Sequence, residues 1–332
     1  MCAPEPDLQH FKLTEISFIG LGAMGYLMAS HLTKHFSQVL VYNRTDQVAL
    51  NHQAEFGSRR ASLKQALGAS VIISCLPTTD VVLELIEANL KHLGNPLVPY
   101  EADTDTGSLT DQTATEPKAK PIRQIWVDCT SGHPDQATTI ADLLDTRGIT
   151  YLDAPVSGQT SGAKAGTLTM MVGGDPHALG QVKPVLETMS ALIEHVGATG
   201  AGFSVKAINN LIMAANLWSC FEGLGVLKKT GIDLSAALRC INASSGQSLA
   251  SSALIPARVM TREFPNTFAL DLLAKDARIA LELAQKTNSP FDQLSQITQI
   301  LQIASADHTP GSADFSKLAL WFEAQLGAEL KA

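Results

Sequence analysis

A short apolar strand, Ile16-Ser17-Phe18-Ile19, runs straight into Gly20-Leu21-Gly22-Ala23-Met24-Gly25, and a helical stretch follows from Tyr26 to His35. Few folds admit that succession. The first glycine permits a tight turn, the second lets a ligand's pyrophosphate approach the backbone, and the third lets helix pack closely on strand. The start of the helix then presents unpaired N–H groups and a positive dipole end to phosphates. Gly20, Leu21, Gly22, Ala23, Met24 and Gly25 are therefore predicted to form a dinucleotide site.

The second strand, Gln38 to Tyr42, ends in Asn43-Arg44-Thr45. A site for NAD(H) usually places an acid here for the ribose 2′-hydroxyl, whereas a guanidinium and a hydroxyl suit a 2′-phosphate. NADP(H) is favoured on that ground; Arg44 also reads as a plain surface arginine, which leaves NAD(H) open. Strands at Val71–Cys75 and Ile125–Asp128 alternate with helices at Asn51–Phe56, Leu63–Leu67, Asp80–Leu93 and Asp135–Arg147, predicting a doubly wound parallel sheet. Ligands of such sheets bind at the strand C-termini, so Leu76-Pro77 and Thr130-Ser131 are candidates to line the cofactor. Between 94 and 124 the pattern breaks into prolines and polar residues, which reads as a mobile surface insertion.

At 332 residues the chain has room for one large or two moderate domains. Charged residues are 17% and hydrophobic ones 45%, the profile of a compact fold. A net charge of -8 without a long basic run sets aside nucleic acid and anionic membrane as partners. Cys2, Cys75, Cys129, Cys220 and Cys240 form no Cys-x-x-Cys pair and read as buried thiols of a reducing compartment. Met1 to Lys12 matches neither a secretory signal nor a transit peptide, so a cytoplasmic location is expected. His31 and His35 lie one turn apart, but Leu32 stands where a metalloprotease-type pair needs glutamate, and no metal is expected.

Gly200-Ala201-Gly202 opens an apolar run to Leu227 whose charged side chains are Lys206 and Glu222. At about 100° per residue, Asn209, Asn210 and Met213 share a narrow wedge with Lys206. A lysine in such a run is paired, desolvated for a purpose, or placed at the rim of a cavity; the plain alternative is a lysine that reaches solvent, as most do. Lys206, Asn209, Asn210, Asn216 and Glu222 interrupt the run too often for a membrane span. Upstream, a strand from Tyr151 ends in the small residues Ser157-Gly158, whose backbone N–H groups suit a carboxylate, and Thr167–Gly174 is a strand returning from it.

Taken in order, several motifs of this chain resemble those of the β-hydroxyacid dehydrogenase family, of the 3-hydroxyisobutyrate dehydrogenase and tartronate semialdehyde reductase type. They are Gly20 to Gly25 with Met28, Asp153-Ala154-Pro155-Val156-Ser157-Gly158, Gly162-Ala163, Gly166-Thr167-Leu168, Met171-Val172-Gly173-Gly174, Gly200-Ala201-Gly202 with Lys206 and Asn209-Asn210, and Lys275-Asp276. The resemblance implies that Lys206 is the general acid/base and that Asn210 helps to hold the substrate. It further implies that Ser157 and Gly158 bind a substrate carboxylate, that Ser131 lies near nicotinamide and substrate, and that Lys275 closes the cofactor side. Gln159 departs from the family, standing where a second glycine is usual, and narrows or repolarises the substrate pocket; His133 also departs, near the mouth.

The expectation is an α/β chain: a tail at 1–13, a Rossmann-type NAD(P)-binding domain at 14–199, and an all-helical C-terminal domain at 200–332, joined by a long interdomain helix. Its helices are read at Phe203–Lys229, Leu234–Ala243, within Ser248–Met260, and at Leu270–Thr287, Pro290–Ala306 and Ser316–Leu326. The expected activity is hydride transfer between NADP(H) and a small carboxylate-bearing 3-hydroxy acid or semialdehyde, or a related 2-hydroxy or 2-keto acid, in a homodimer or higher oligomer. An imine reductase shares the architecture but usually lacks the lysine. A non-catalytic scaffold or ligand sensor has no need of Lys206 or the glycines, and full-length 6-phosphogluconate dehydrogenase carries a larger helical domain than this chain can hold.

Overall fold

The computed structural model describes residues 15–94 and 124–331. The tail expected at 1–13, Cys2, and residues 95–123 of the expected insertion lie outside the described residues. The chain divides into two compact units between Phe203 and Ser204.

In the first unit, β1 (Ile16–Ile19), β2 (Val39–Tyr42), β3 (Arg59–Arg60), β4 (Val71–Ser74), β5 (Gln124–Asp128) and β6 (Ile149–Asp153) run parallel in the order β3-β2-β1-β4-β5-β6. The order reverses at β1, between β2 and β4, which creates the switch point where doubly wound sheets bind ligands. β7 (Val156–Ser157) continues the line of β6, and both pair antiparallel with β8 (Leu168–Gly174), which also pairs parallel with β9 (Ser190–Gly197). Helices α1 (Gly25–His35), α2 (Asp46–Phe56), α3 (Leu63–Ala66), α4 (Thr79–Asn89), α5 (Pro134–Asp145), α6 (Gln159–Ala165) and α7 (Pro176–Leu186) connect them.

Strand side chains alternate between two cores, as the period of two requires. Phe18, Ile73 and Val127 pack into one, and Ile19, Ile72 and Trp126 into the other. The strands read as unbroken apolar runs because both faces are covered. Local signals stop and start the helices: Gly57 closes α2 in the left-handed region, and a capping box of Ser62 and Gln65 opens α3.

The doubly wound α/β domain followed by a helical one is the observed architecture. The elements α6, α7 and β9 are additions to the expected set. Gly180 and Pro184 inside α7 erase its helical signature. On β9, Glu194 and His195 are exposed side by side, and this strand at the sheet's end carries too little apolar alternation to be read.

The second unit is built on α8 (Ala201–Lys229), whose first turn belongs to the first unit, with α9 (Leu234–Asn242), α10 (Leu270–Lys286), α11 (Asp292–Ala306) and α12 (Leu318–Leu326). Ala250–Met260, expected as an ordinary helix, is a π-helical stretch with Pro256 inside it. Leu211, Leu217, Phe221, Ile255, Leu273, Leu301 and Phe315 form the core. By length and composition alone α8 is apolar enough to cross a membrane, and half of its most apolar window is buried inside the fold.

Close packing around the first turn gives a test. A Cβ on Gly25 would run into the Gly20 carbonyl and the Phe18 ring. Gly25→Ala is expected to lower stability by about 1–3 kcal/mol, as overpacking does, and to abolish retention of a dinucleotide in a dye-column or fluorescence assay. Unchanged thermal unfolding together with unchanged cofactor retention would contradict this packing.

Candidate active site

The glycine turn is crowded on two sides and open on one. Gly20 holds φ +96°, where a Cβ would meet the Cys75 carbonyl and the Leu76 side chain, and Gly25 is closed in by Gly20 and Phe18. Beside Gly22 no atom lies within 4 Å of the Cβ position. Two glycines thus let the protein pack on itself, while the middle one leaves its backbone approachable, the cradle that a pyrophosphate needs. Gly20 N–H donates to the Tyr42 carbonyl at 2.9 Å, and Leu21 N–H donates to Asn43 Oδ1 at 3.0 Å. Asn43 therefore braces the turn. Arg44 and Thr45 are exposed just beyond β2, and the adjoining β3 adds Arg59 and Arg60, the latter bonded through Nε to Asp46 at 2.8 Å.

Beneath the other loops lies a carboxylate that sequence reasoning missed. Asp128, fully buried at the end of β5, accepts from Ser74 Oγ at 2.9 Å, Thr130 N–H at 3.1 Å and Tyr151 OH at 2.9 Å. Thr130 Oγ1 in turn accepts from Leu76 N–H at 3.1 Å. One group thus fixes the loops carrying Leu76 and Ser131, and Pro77 follows, exposed. Burial raises the Asp128 pKa against the pull of these donors. The neighbouring thiols are inert: burial pushes Cys75 up to about 12 and Cys129 well above its ordinary value. His133 caps α5, its Nδ1 accepting from Asp135 N–H at 3.2 Å.

Asp153, first residue of the Asp-Ala-Pro-Val-Ser-Gly motif, is buried at the end of β6 and accepts from Gly200 N–H at 2.7 Å and Phe203 N–H at 3.0 Å. It caps the start of α8, satisfying donors that a helix leaves orphaned. A Cβ on Gly202 would strike the Met171 carbonyl, so glycine is required for that approach. Past β7, Ser157 is half-buried and Gly158 exposed at φ +138°. Gln159 holds φ +58°, a left-handed backbone in which glycine is at ease and a glutamine is strained.

In the second unit the polar wedge of α8 meets α10. Asn210, 4% exposed, donates from Nδ2 to Asp276 Oδ2 at 2.6 Å and accepts from Asn209 Nδ2 at 3.2 Å. Lys275 Nζ lies 3.2 Å from the other oxygen of Asp276. Lys206 is partly buried, and desolvation lowers its pKa; Asp276 opposes that shift and Lys275 adds to it. Asp276 is 1% exposed. Its signal was available in the sequence: it falls on the stripe of Leu273, Ala277 and Ala280 that α10 buries, where an unpaired acid is untenable.

The structure thus gathers Gly20 to Gly25, Asn43, Leu76 and Ser131 about the strand ends of the first unit, with Ser157, Gly158 and Gln159 beyond β7. Lys206, Asn210 and Lys275 meet in the second unit around Asp276. Among the described residues no cluster of metal-binding side chains occurs.

Residues 15–197 match the family described as the NAD binding domain of 6-phosphogluconate dehydrogenase, and residues 200–322 match that described as the NAD-binding of NADP-dependent 3-hydroxyisobutyrate dehydrogenase. A 2-(hydroxymethyl)glutarate dehydrogenase of Eubacterium barkeri is 33% identical over 88% of this chain and 89% of its own. A 3-hydroxyisobutyrate dehydrogenase of Pseudomonas aeruginosa is 31% identical over 92% and 97%. Among solved structures, a 3-hydroxyisobutyrate dehydrogenase of Mycobacterium tuberculosis with L-serine is similar at a TM-score of 0.74, with 27% identity over 92% of this chain and 98% of that one.

The Asp153 cap has a pH signature. Burial pushes its carboxyl from 3.8 up to about 6 despite the two N–H donors. A folded-state pKa above the unfolded one gives stability that is full below pH 3.8 and lost as pH rises through about 6. That loss is on the order of 3 kcal/mol. Denaturant unfolding from pH 4 to pH 7 should show it in the parent and not in Asp153→Asn; identical slopes would contradict the assignment.

Proposed function

Since the chain belongs to the β-hydroxyacid dehydrogenase family, we propose that it is an NADP(H)-dependent oxidoreductase for a small carboxylate-bearing 3-hydroxy acid and its semialdehyde, or a related 2-hydroxy and 2-keto pair, with Lys206 as general acid/base. That it is an NAD(P)-dependent hydroxyacid dehydrogenase follows from the family itself. The observation that carries the finer reading is the desolvated lysine beside the buried Asp276–Asn210 pair.

The bound nicotinamide supplies the hydride acceptor or donor. Gly20 to Gly25 would hold the pyrophosphate and Arg44 with Thr45 the 2′-phosphate, while Leu76, Pro77, Ser131 and Lys275 would border the rest of the dinucleotide. In the oxidation, Lys206 as a neutral amine takes the substrate hydroxyl proton; in the reduction, its ammonium form returns one to the oxygen. A lowered pKa increases the neutral fraction at working pH. Asp276 fixes one N–H of Asn210, so the carboxamide meets the substrate in a set orientation. Ser157 and the backbone at Gly158 would take the substrate carboxylate, and Gln159 would shape the space beside it.

The test is a panel of semialdehydes, 2-keto acids and cyclic imines with NADPH and NADH, followed by absorbance. Consumption is expected with a semialdehyde or keto acid and falls roughly 10²–10⁴-fold in Lys206→Ala, the usual worth of a general acid/base. Consumption with imines alone would identify an imine reductase, no consumption would favour a ligand-sensing scaffold, and unaltered turnover in the variant would remove the lysine from the chemistry. Arg44→Ala should lower kcat/KM for NADPH about 10–100-fold, the loss of a charged hydrogen bond, with little change for NADH. An equal fall for both cofactors would contradict the 2′-phosphate role.

A further inference from the structure

His31 stands on the inward face of α1, the helix that begins at the glycine turn, and is 7% exposed. Its Nε2 lies 2.9 Å from the Ala163 carbonyl and 3.2 Å from the Lys164 carbonyl. Carbonyl oxygens only accept, so Nε2 carries the proton and donates to both. Burial lowers the imidazole pKa and keeps the ring neutral. The two carbonyls belong to the last turn of α6, where the regular i+4 donors run out; the Ala163 carbonyl also accepts from the Gly166 N–H, at 3.4 Å. Gly166, in the left-handed region at φ +70°, ends that helix, and a Cβ there would press on the His31 ring at 3.0 Å.

The helix that His31 holds has little apolar anchorage of its own. It has seven residues, too few to be stable alone, and its one buried side chain is Ala163. Its first residue is Gln159, directly after Ser157 and Gly158. The imidazole thus ties the helix behind the substrate loop to the helix behind the cofactor turn, both within the first unit.

We propose that His31 is a positioning residue: it sets the Ser157–Gly158–Gln159 loop against the cofactor helix and so governs binding of the substrate carboxylate without touching substrate or cofactor. This rests on the reading of Ser157 and Gly158 given above. It also replaces the metal pair that the spacing of His31 and His35 brings to mind with a different use for the first histidine.

The test compares the parent protein, His31→Ala and His31→Gln, the last of which keeps a donor of similar reach. Hydrogen exchange is measured by peptide with saturating NADPH, or NADH if that binds better, and cofactor Kd by fluorescence. KM is measured for 3-hydroxyisobutyrate or for whichever acid the panel identifies. In His31→Ala, exchange in 157–166 should rise about tenfold, KM should rise roughly tenfold, and cofactor Kd should change less than about twofold; His31→Gln should restore the first two. Exchange unchanged in 157–166, raised evenly across the first unit, or not restored by glutamine would overturn the proposal, as would a Kd that moves with KM. Exchange reads out without turnover, so a protein inactive on every acid defeats the assigned function while leaving the role of His31 decided by exchange.

Discussion

A single buried carboxylate organises the polar groups of the second unit. Asp276 sits in an apolar helix pair, where an unpaired acid costs several kcal/mol, and it is met by Asn210 Nδ2 on one oxygen and Lys275 Nζ on the other. Once satisfied, it acts on Lys206 as an attracting charge that opposes desolvation. Desolvation is the larger influence, and Lys275 adds to it, so the lysine pKa falls. The net effect is an amine whose pKa is held below the ordinary lysine value, the direction that the proposed acid/base role calls for. Without Asp276, burial and Lys275 would act on Lys206 unopposed.

The first unit uses the same device at its strand ends. Asp128 is buried and gathers Ser74, Thr130 and Tyr151, which fixes two loops at once. Asp153 is buried and gathers the first N–H groups of α8, with glycines where any side chain would collide. His31 does for α6 with a donor what Asp153 does for α8 with an acceptor. In each case a polar group at low exposure is hydrogen-bonded to groups distant in the chain and so holds the segments that carry them in place.

How much of this is legible in the sequence depends on how local the signal is. The glycine turn is readable because a tight turn and close packing impose glycine within six consecutive residues. Lys206 and Asn210 are readable because helical periodicity places them on one face of an apolar run. Asp276 is legible as a buried, paired acid from its place on the apolar stripe of α10, but its partner is not, since Asn210 lies 66 residues away in the chain. Asp128 and His31 escape for the same reason: their partners come from other strands and helices, and nothing local distinguishes them from an ordinary strand-end acid or a surface histidine. Helix α7 and strand β9 are hidden by proline, glycine and charge at positions where tertiary pairing overrides local preference.

The most direct measurement is the pH dependence of kcat/KM for hydroxy-acid oxidation in the parent protein and in Asp276→Asn. On the proposed mechanism oxidation needs neutral Lys206, so the rate should rise with pH through the lysine pKa, at a midpoint below the ordinary value of about 10.4. Because Asp276 raises that pKa, removing its charge should carry the midpoint to lower pH. A midpoint at the ordinary lysine value, or one that stays fixed or moves upward in Asp276→Asn, would contradict general acid/base chemistry at Lys206 tuned by this carboxylate.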